Sequence, residues 1–218
     1  LRLISPADLV VEPTAPLSNQ AIAAALQTNA VAITAAGDLT VIGPLVSPSG
    51  TPLTLTAGNI LSLLADANAP STLGPNSPLA ALPIDDSPSQ IVGNVTLQSG
   101  GDLRIENSLY VLSPQANPQL TLQAGGDVLL QENPFAAGPN RTFLQLTGNN
   151  GLLSIQANNL DVSQAIILTI ANGGQQGPNV AVGVNQNLIL QNSALGTRAE
   201  NDQTTGSIQI QAGQSVQI

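Results

Sequence analysis

Three aspartates follow a glycine at equivalent places in a repeated phrase, and they are the first candidates for chemistry. Asp38, Asp102 and Asp127 stand in VAITAAGDLTVI, VTLQSGGDLRIE and LTLQAGGDVLLQ. If neighbouring copies stack as strands, the carboxylates of Asp102 and Asp127 would lie ~5 Å apart. Ca²⁺ would relieve their repulsion, so these two residues are candidate calcium ligands. Because the same slot holds Asn59 and Gln214 in other copies, the pattern favours backbone hydrogen bonding at a turn over a metal.

A second acidic candidate is the adjacent pair Asp85 and Asp86 in LPIDDSPSQ. Parallel β-helix enzymes that cleave polysaccharides use clustered carboxylates, usually with a basic partner. The chain has no His, and its basic residues are four arginines. A groove that joined Asp85 or Asp86 to Arg104 or Arg141 would make a carbohydrate-binding or carbohydrate-cleaving site, which is the alternative hypothesis. A solvated Pro-Ser loop explains the pair more simply, so we predict no enzyme activity and no cofactor.

Two further patterns are predicted to decorate the surface. Asp102, Arg104 and Glu106 alternate along one strand face and would pair weakly, since exposed ion pairs contribute ~0–1 kcal/mol. Thr54 and Thr56 have the spacing of an ice-binding row, but other copies place Gln, Ala or Arg in those positions. A surface that matches a crystal lattice needs a regularity that is missing here.

Composition excludes several classes of partner. The chain has 218 residues, a net charge of −9 and only 8% charged residues. Nucleic acids and anionic membranes require patches of Lys and Arg, so neither is predicted as a partner. No apolar run approaches the ~18 residues of a membrane span. The chain begins at Leu1 without Met or a signal peptide, which is expected of a mature or excised segment.

The elements that carry these residues come from an internal repeat. Each copy alternates apolar and polar residues, breaks at a glycine followed by a polar residue, and alternates again. Successive copies start 22, 42, 25, 24, 36 and 28 residues apart. The copies are VAITAAGDLTVI, LTLTAGNILSLL, VTLQSGGDLRIE, LTLQAGGDVLLQ, LQLTGNNGLLSIQ, VAVGVNQNLILQ and IQIQAGQSVQI.

Period-2 alternation predicts strands with one buried face, and the glycine predicts a tight bend in which φ turns positive. Two short strands cannot bury an apolar face alone, but stacked coils can, which predicts an all-β parallel β-solenoid. A β-sandwich is the competing fold; the constant place of the glycine and the Gln, Asn and Thr of the outer face favour the solenoid. If the two long gaps each hold two coils, about nine or ten coils give a rod ~45 Å long.

The domain boundaries follow from the same pattern. Residues 1–30 are predicted to be an extended arm and a short helix, with Ser18 as the N-cap of an Ala-rich run. Residues 31–218 are predicted to be the solenoid. A Pro- and Ser-rich insertion around residues 65–90 is expected to leave the column on one side.

The phrases LTLTAGN, VTLQSGGDLRI and LTLQAGGDVLL, with the tail from Leu188 to Ile218, resemble the filamentous-haemagglutinin-like repeat regions of large bacterial exoproteins, particularly cyanobacterial ones. The resemblance covers most of residues 31–218. It implies a right-handed β-helix that is exported and displayed on the cell surface or released outside, with roles in adhesion, fibres or stalks. The Asn-Pro-Asn motifs of that family's secretion domain are not matched by ENPFAAGPN or ANPQL, so the chain resembles a passenger segment.

Both ends of the chain are apolar, and they are candidate assembly surfaces because a solenoid needs caps to cover its terminal coils. Two hypotheses remain open: the chain belongs to a longer exoprotein whose adjacent coils cover the ends, or copies join head to tail in a filament. The function predicted is therefore a non-enzymatic structural or adhesive rod, with surface polysaccharide as a further candidate partner. The candidate assembly residues are Leu1, Leu3, Ile4, Leu9, Val10, Val11, Ile208, Ile210, Val216 and Ile218.

Overall fold

The computed structural model describes residues 1–14, 17–47, 50–66, 88–132, 141–172, 176–199 and 204–218. These residues form twenty-two strands and one helix, labelled in chain order. The strands belong to three parallel sheets, and within each sheet they are stacked in the order in which the chain makes them. This arrangement confirms the predicted all-β parallel β-solenoid.

Sheet 1 has eight strands and contains the first half of each repeated phrase. Its strands are β1 (Arg2–Ser5), β3 (Val31–Ala35), β6 (Leu53–Ala57), β9 (Val95–Ser99), β12 (Gln119–Ala124), β15 (Leu152–Ala157), β18 (Asn179–Val184) and β21 (Ile208–Ala212). Strict apolar and polar alternation, such as that of Leu53–Ala57, places one side of each strand in the core and the other outside.

Sheet 2 also has eight strands and contains the second half of the phrase, after the glycine. Its strands are β2 (Leu9–Val11), β4 (Leu39–Ile42), β7 (Leu61–Leu64), β10 (Leu103–Ile105), β13 (Val128–Leu130), β16 (Leu160–Ser163), β19 (Asn187–Gln191) and β22 (Ser215–Gln217). The turn between sheets 1 and 2 is short in every coil, and we call it the 1–2 corner.

Sheet 3 has six strands and forms the third side of the second to seventh coils. Its strands are β5 (Val46–Ser47), β8 (Ser89–Val92), β11 (Leu109–Ala116), β14 (Thr142–Asn149), β17 (Ala165–Ala171) and β20 (Ala194–Arg198). Because this sheet is not part of the repeated phrase, its strands are the ones that the sequence pattern does not predict individually.

The core is a continuous aliphatic column inside the three sheets. Leu97, Leu122 and Ile155 form one of its inward rows, paired strand to strand and at most 1% exposed. Burial of one such side chain contributes ~1.5–3 kcal/mol, so the stack of coils supplies the stability that no single coil has. Tyr110 and Phe143 stack on each other outside this column, with ring centroids 6.1 Å apart.

The structure has eight coils, so the predicted nine or ten was wrong. Leu53 pairs directly with Val95, and the long gap between them is therefore one coil with an insertion. The phrase that starts at Leu144 begins on sheet 3, whereas the residue equivalent to Leu120 is Leu153. Seven steps of ~4.8 Å give a column about 34 Å long.

The described residues of the predicted arm and helix, 1–14 and 17–30, contain two strands and one helix, and they belong to the solenoid. Strands β1 and β2 pair with β3 and β4, so the arm is the first coil. In this coil helix α1 (Asn19–Leu26) stands between β2 and β3, where later coils have a strand of sheet 3. Ser18 is its N-cap, and the Ser18 side chain accepts a hydrogen bond from the Ala21 amide at 3.2 Å.

The predicted insertion falls between β7 of sheet 2 and β8 of sheet 3, and its residues 67–87 lie outside the described residues. Strand β7 ends at Leu64 and β8 begins at Ser89, so Ser89 and Gln90 are strand residues rather than insertion. Asp85 and Asp86 lie outside the described residues, and the groove proposed around them stays a prediction.

Candidate functional site

The candidate metal ligands lie in one row along the 1–2 corner. The register of sheet 2 defines this row, which is the residue just before the strand in the first six coils and the first residue of the strand in β19 and β22; we call it the corner ladder. Its members are Asp8, Asp38, Ile60, Asp102, Asp127, Asn159, Asn187 and Ser215. Asn59 and Gln214, which the sequence pattern assigned to this slot, occupy the preceding row, since the Asn59 amide bonds to the Gly37 carbonyl and the Gln214 amide to the Gln186 carbonyl.

Side-chain oxygens of the corner ladder accept hydrogen bonds from the next coil. Oδ1 of Asp102 accepts the Asp127 amide at 3.0 Å. Oδ1 of Asp127 accepts both the amide and Nδ2 of Asn159, at 3.1 and 2.8 Å. Oδ1 of Asn159 bonds the amide and Nδ2 of Asn187 in the same way, both at 3.1 Å. The predicted backbone bonding is present, but it joins successive coils rather than closing a local turn.

This geometry explains why both Asp and Asn occur in the ladder. Both residue types supply the acceptor oxygen that these bonds use, and Asn adds a donor for the oxygen of the coil before it. No three His, Cys, Asp or Glu side chains within the described ranges are grouped as a metal ion would require. The calcium role of Asp102 and Asp127 stays a prediction.

The glycines at this corner are required by the approach of neighbouring coils, not by positive φ. A Cβ on Gly125 would lie 2.2 Å from the carbonyl oxygen of Gly100, and one on Gly100 would lie 2.1 Å from that of Gly58. Positive φ is found instead at glycines outside the repeated phrase, such as Gly43 (83°) and Gly93 (129°). The φ argument made from sequence was therefore wrong, although it located the bend correctly.

The acidic residues of the described part share one side of the rod. All of them lie in a strand of sheet 2 or within two residues of one, and we call this side the acidic side. They are Asp8, Glu12, Asp38, Asp66, Asp102, Glu106, Asp127, Glu132 and Asp161. The sequence pattern could have shown this, since most of these acids directly precede or follow the second half of a phrase.

Asp161 is the least favourably placed of these carboxylates. It stands on the outer row of sheet 2 between Leu129 and Ile189. Burial raises the pKa of the Asp161 carboxyl, and the charge of Asp127 raises it further. Its Oδ1 is buried without a hydrogen-bond partner in the described structure. Burial also raises the pKa of Glu106, although the charge of Arg104 opposes that shift.

The arginines of the alternative hypothesis lie on different sheets. Nη2 of Arg104, on the outer row of sheet 2, is 3.9 Å from Oδ2 of Asp102, and both side chains are well exposed. Such a pair contributes ~0–1 kcal/mol. Arg141 directly precedes β14 of sheet 3. The carbohydrate hypothesis stays a prediction.

The C-terminal coil exposes the inner column. Ile208, Ile210 and Val216 are 42%, 41% and 49% exposed. Their partners one coil earlier, Val180, Val182 and Leu188, are 1%, 3% and 0% exposed, although both sets face inward. Ile218 is 97% exposed. These four candidate assembly residues therefore form one apolar surface at the end of the rod.

The N-terminal coil differs from the C-terminal coil because a helix covers part of it. Helix α1 packs against β5 and buries Ile22 and Leu26, so it covers the first edge of sheet 3. Nδ2 of Asn19 fixes the helix by donating to the Ile42 and Pro44 carbonyls, at 3.0 and 2.9 Å.

The candidate assembly residues of this coil do not form a single surface. Leu3 and Leu9 pair with the inward residues Ile33 and Leu39. Val11 is fully buried, and Leu1 is 63% exposed. Ile4 and Val10 pair with the outward residues Thr34 and Thr40, so they point away from the rod on its outer faces rather than toward its end.

Comparison with protein-family models, curated proteins and solved structures finds no match for this chain. In the described part of the chain, helices do not reach the length and apolarity that a membrane span requires.

Proposed function

We propose that the protein is a non-enzymatic structural or adhesive rod at the cell surface or outside the cell, a stalk segment or fibre subunit that is extended from its C-terminal coil. The resemblance to filamentous-haemagglutinin-like repeats supports the location and the role. The aliphatic column and the corner ladder support a structural use, because the polar side chains of the ladder bond to backbone from coil to coil.

The observation that carries this proposal is the apolar surface formed by Ile208, Ile210, Val216 and Ile218. Strands β21 and β22 are the last in their sheets, so their outer backbone groups can pair with further strands. A coil placed there would bury Ile208, Ile210 and Val216, whose counterparts in the preceding coil are almost completely buried. The coil belongs either to adjacent repeats of a longer parent chain or to a second copy.

Electron microscopy and sedimentation velocity of the 218-residue chain test the proposal. We expect linear particles several subunits long that lengthen with concentration. Ile210→Asp should shorten them, because a carboxylate would face the apolar junction. Gln217→Asp is the matched control, since Gln217 pairs with the outward residue Ile189 and the substitution adds the same charge to the outer face of sheet 2.

A stalk segment, unlike a fibre subunit, does not join to other copies. A variant with one further coil added after Ile218 distinguishes the two. Covering the apolar surface should raise the melting temperature of the wild-type chain and abolish any self-association through that end. If the added coil left stability unchanged and Ile210→Asp did not alter particle length, extension from the C-terminal coil would be refuted.

A further inference from the structure

The outer face of sheet 1 carries two adjacent rows of uncharged polar side chains. The strand register aligns Thr54, Thr96, Thr121 and Ser154 in a hydroxyl row. Two residues further along each strand, Gln98, Gln123 and Gln156 form an amide row with exposed side chains. We call the two rows together the amide-hydroxyl face.

The polar groups of this face are available to a partner. Within the described part of the chain, no hydrogen bond engages the hydroxyls of Thr96, Thr121 and Ser154 or the amides of the three glutamines. The amide row also runs along the long axis of the rod, from one coil to the next. A Cβ on Gly183 would be 2.7 Å from both amide atoms of Gln156, so that amide extends over the next coil.

The distribution of charge decides which face of the rod can meet another copy. Each chain carries a net charge of −9, so two copies repel each other wherever their carboxylates approach. Strands β3 to β21 of sheet 1 contain no charged residue, whereas the described carboxylates all lie on the acidic side. Contact through sheet 1 keeps the acidic sides of two rods away from the junction.

We propose that the amide-hydroxyl face packs against the same face of a second copy, so that two rods pair side by side. An amide is both donor and acceptor, which makes this face complementary to itself. Rows of identical Gln and Thr side chains on flat, uncharged sheets form tightly interdigitated contacts between sheets. This lateral contact is independent of the end-to-end contact through Ile210.

Sedimentation velocity and equilibrium up to high micromolar concentration test the pairing with two matched variants. Thr121→Lys places a cation in the centre of the face. Thr40→Lys makes the same change on the outer row of sheet 2, where Thr40 is also half-buried. We expect Thr121→Lys to weaken pairing at least tenfold, because the charge would be buried without a partner, and Thr40→Lys to leave it unchanged. Circular dichroism and melting temperature confirm that both variants fold.

Three outcomes would overturn the proposal. The wild-type chain could remain unpaired at the highest concentration, or both lysine variants could weaken pairing equally. Alternatively, pairing could be lost in Ile210→Asp but kept in Thr121→Lys, which would assign self-association to the rod end alone. Co-sedimentation with an insoluble neutral polysaccharide completes the test: binding by an unpaired wild-type chain that Thr121→Lys abolishes would assign the face to carbohydrate instead.

Discussion

Asp127 shows how this fold uses a carboxylate. Its spacing from Asp102 suggests calcium binding. In the structure, however, Oδ1 of Asp127 accepts hydrogen bonds from the backbone amide and from Nδ2 of Asn159. The sequence predicted the position of the turn and its hydrogen bonding, because glycine and Asx residues recur there. It did not predict the partner, since coil-to-coil bonds depend on a register that single phrases do not contain.

Asp161 should destabilise the protein at neutral pH. Its pKa is raised above the usual 3.8 in the folded chain, so folding is disfavoured once the carboxyl is ionised. The wild-type protein therefore loses stability as the pH rises from 3.8 through the raised pKa. Asp161→Asn should raise the free energy of unfolding at pH 7 by about 0.5 kcal/mol after solvent screening is allowed for.

Thermal unfolding of Asp161→Asn and wild type across pH measures this difference. The gain at pH 7 corresponds to about 1–2 °C and should shrink toward zero below the unfolded pKa of 3.8. A variant that was less stable at neutral pH, or a gain that persisted in acid, would show that the Asp161 charge is not the cause.

At the scale of the element, strand alternation predicted sheets 1 and 2 but misplaced one coil start. Residues 144–147 of the sheet 3 strand Thr142–Asn149 alternate apolar and polar types in sequence, as the strands of sheet 1 do, which is why the pattern predicts a phrase that starts at Leu144. Helix α1 was predicted from its N-cap and alanines. The sequence did not predict that this helix covers the first edge of sheet 3, because that role depends on contacts with β5, which is distant in the sequence.

The glycine at the 1–2 corner offers a test of coil packing. Gly125→Ala should destabilise the chain by about 1–3 kcal/mol, because the added methyl would overlap the Gly100 carbonyl oxygen. Gly196→Ala in β20 is the control, since its Cβ would meet only Leu168 Cδ1, at 3.8 Å. Urea unfolding of both variants checks the expectation, and equal stabilities would contradict it.

At the scale of the whole molecule, the two ends differ in how well they are covered. Helix α1 buries Ile22 and Leu26 over the first edge of sheet 3, whereas the last coil leaves Ile210 and Val216 exposed. In stacked repeats each coil is stabilised by its neighbours, so an uncovered terminal coil opens most easily.

Hydrogen exchange should therefore be graded along the rod. Amides of β21 and β22 should exchange fastest, those of β9 to β16 slowest, and those of β3 and β4 more slowly than the C-terminal pair. Mass spectrometry of peptides from each coil measures this order at a concentration where the chain is monomeric. Slow exchange in β21 and β22 under those conditions would contradict it.

The in-register pairing of β9 with β12 has an evolutionary consequence. The paired positions of these two strands carry chemically similar residues: Val95 meets Leu120, Thr96 meets Thr121 and Gln98 meets Gln123. A gene segment that encodes one such coil can therefore be duplicated in frame. The duplicated coil then packs on each side against a coil similar to those that flank the original. The length of the rod could therefore change by whole coils through recombination, without a new kind of interface between coils.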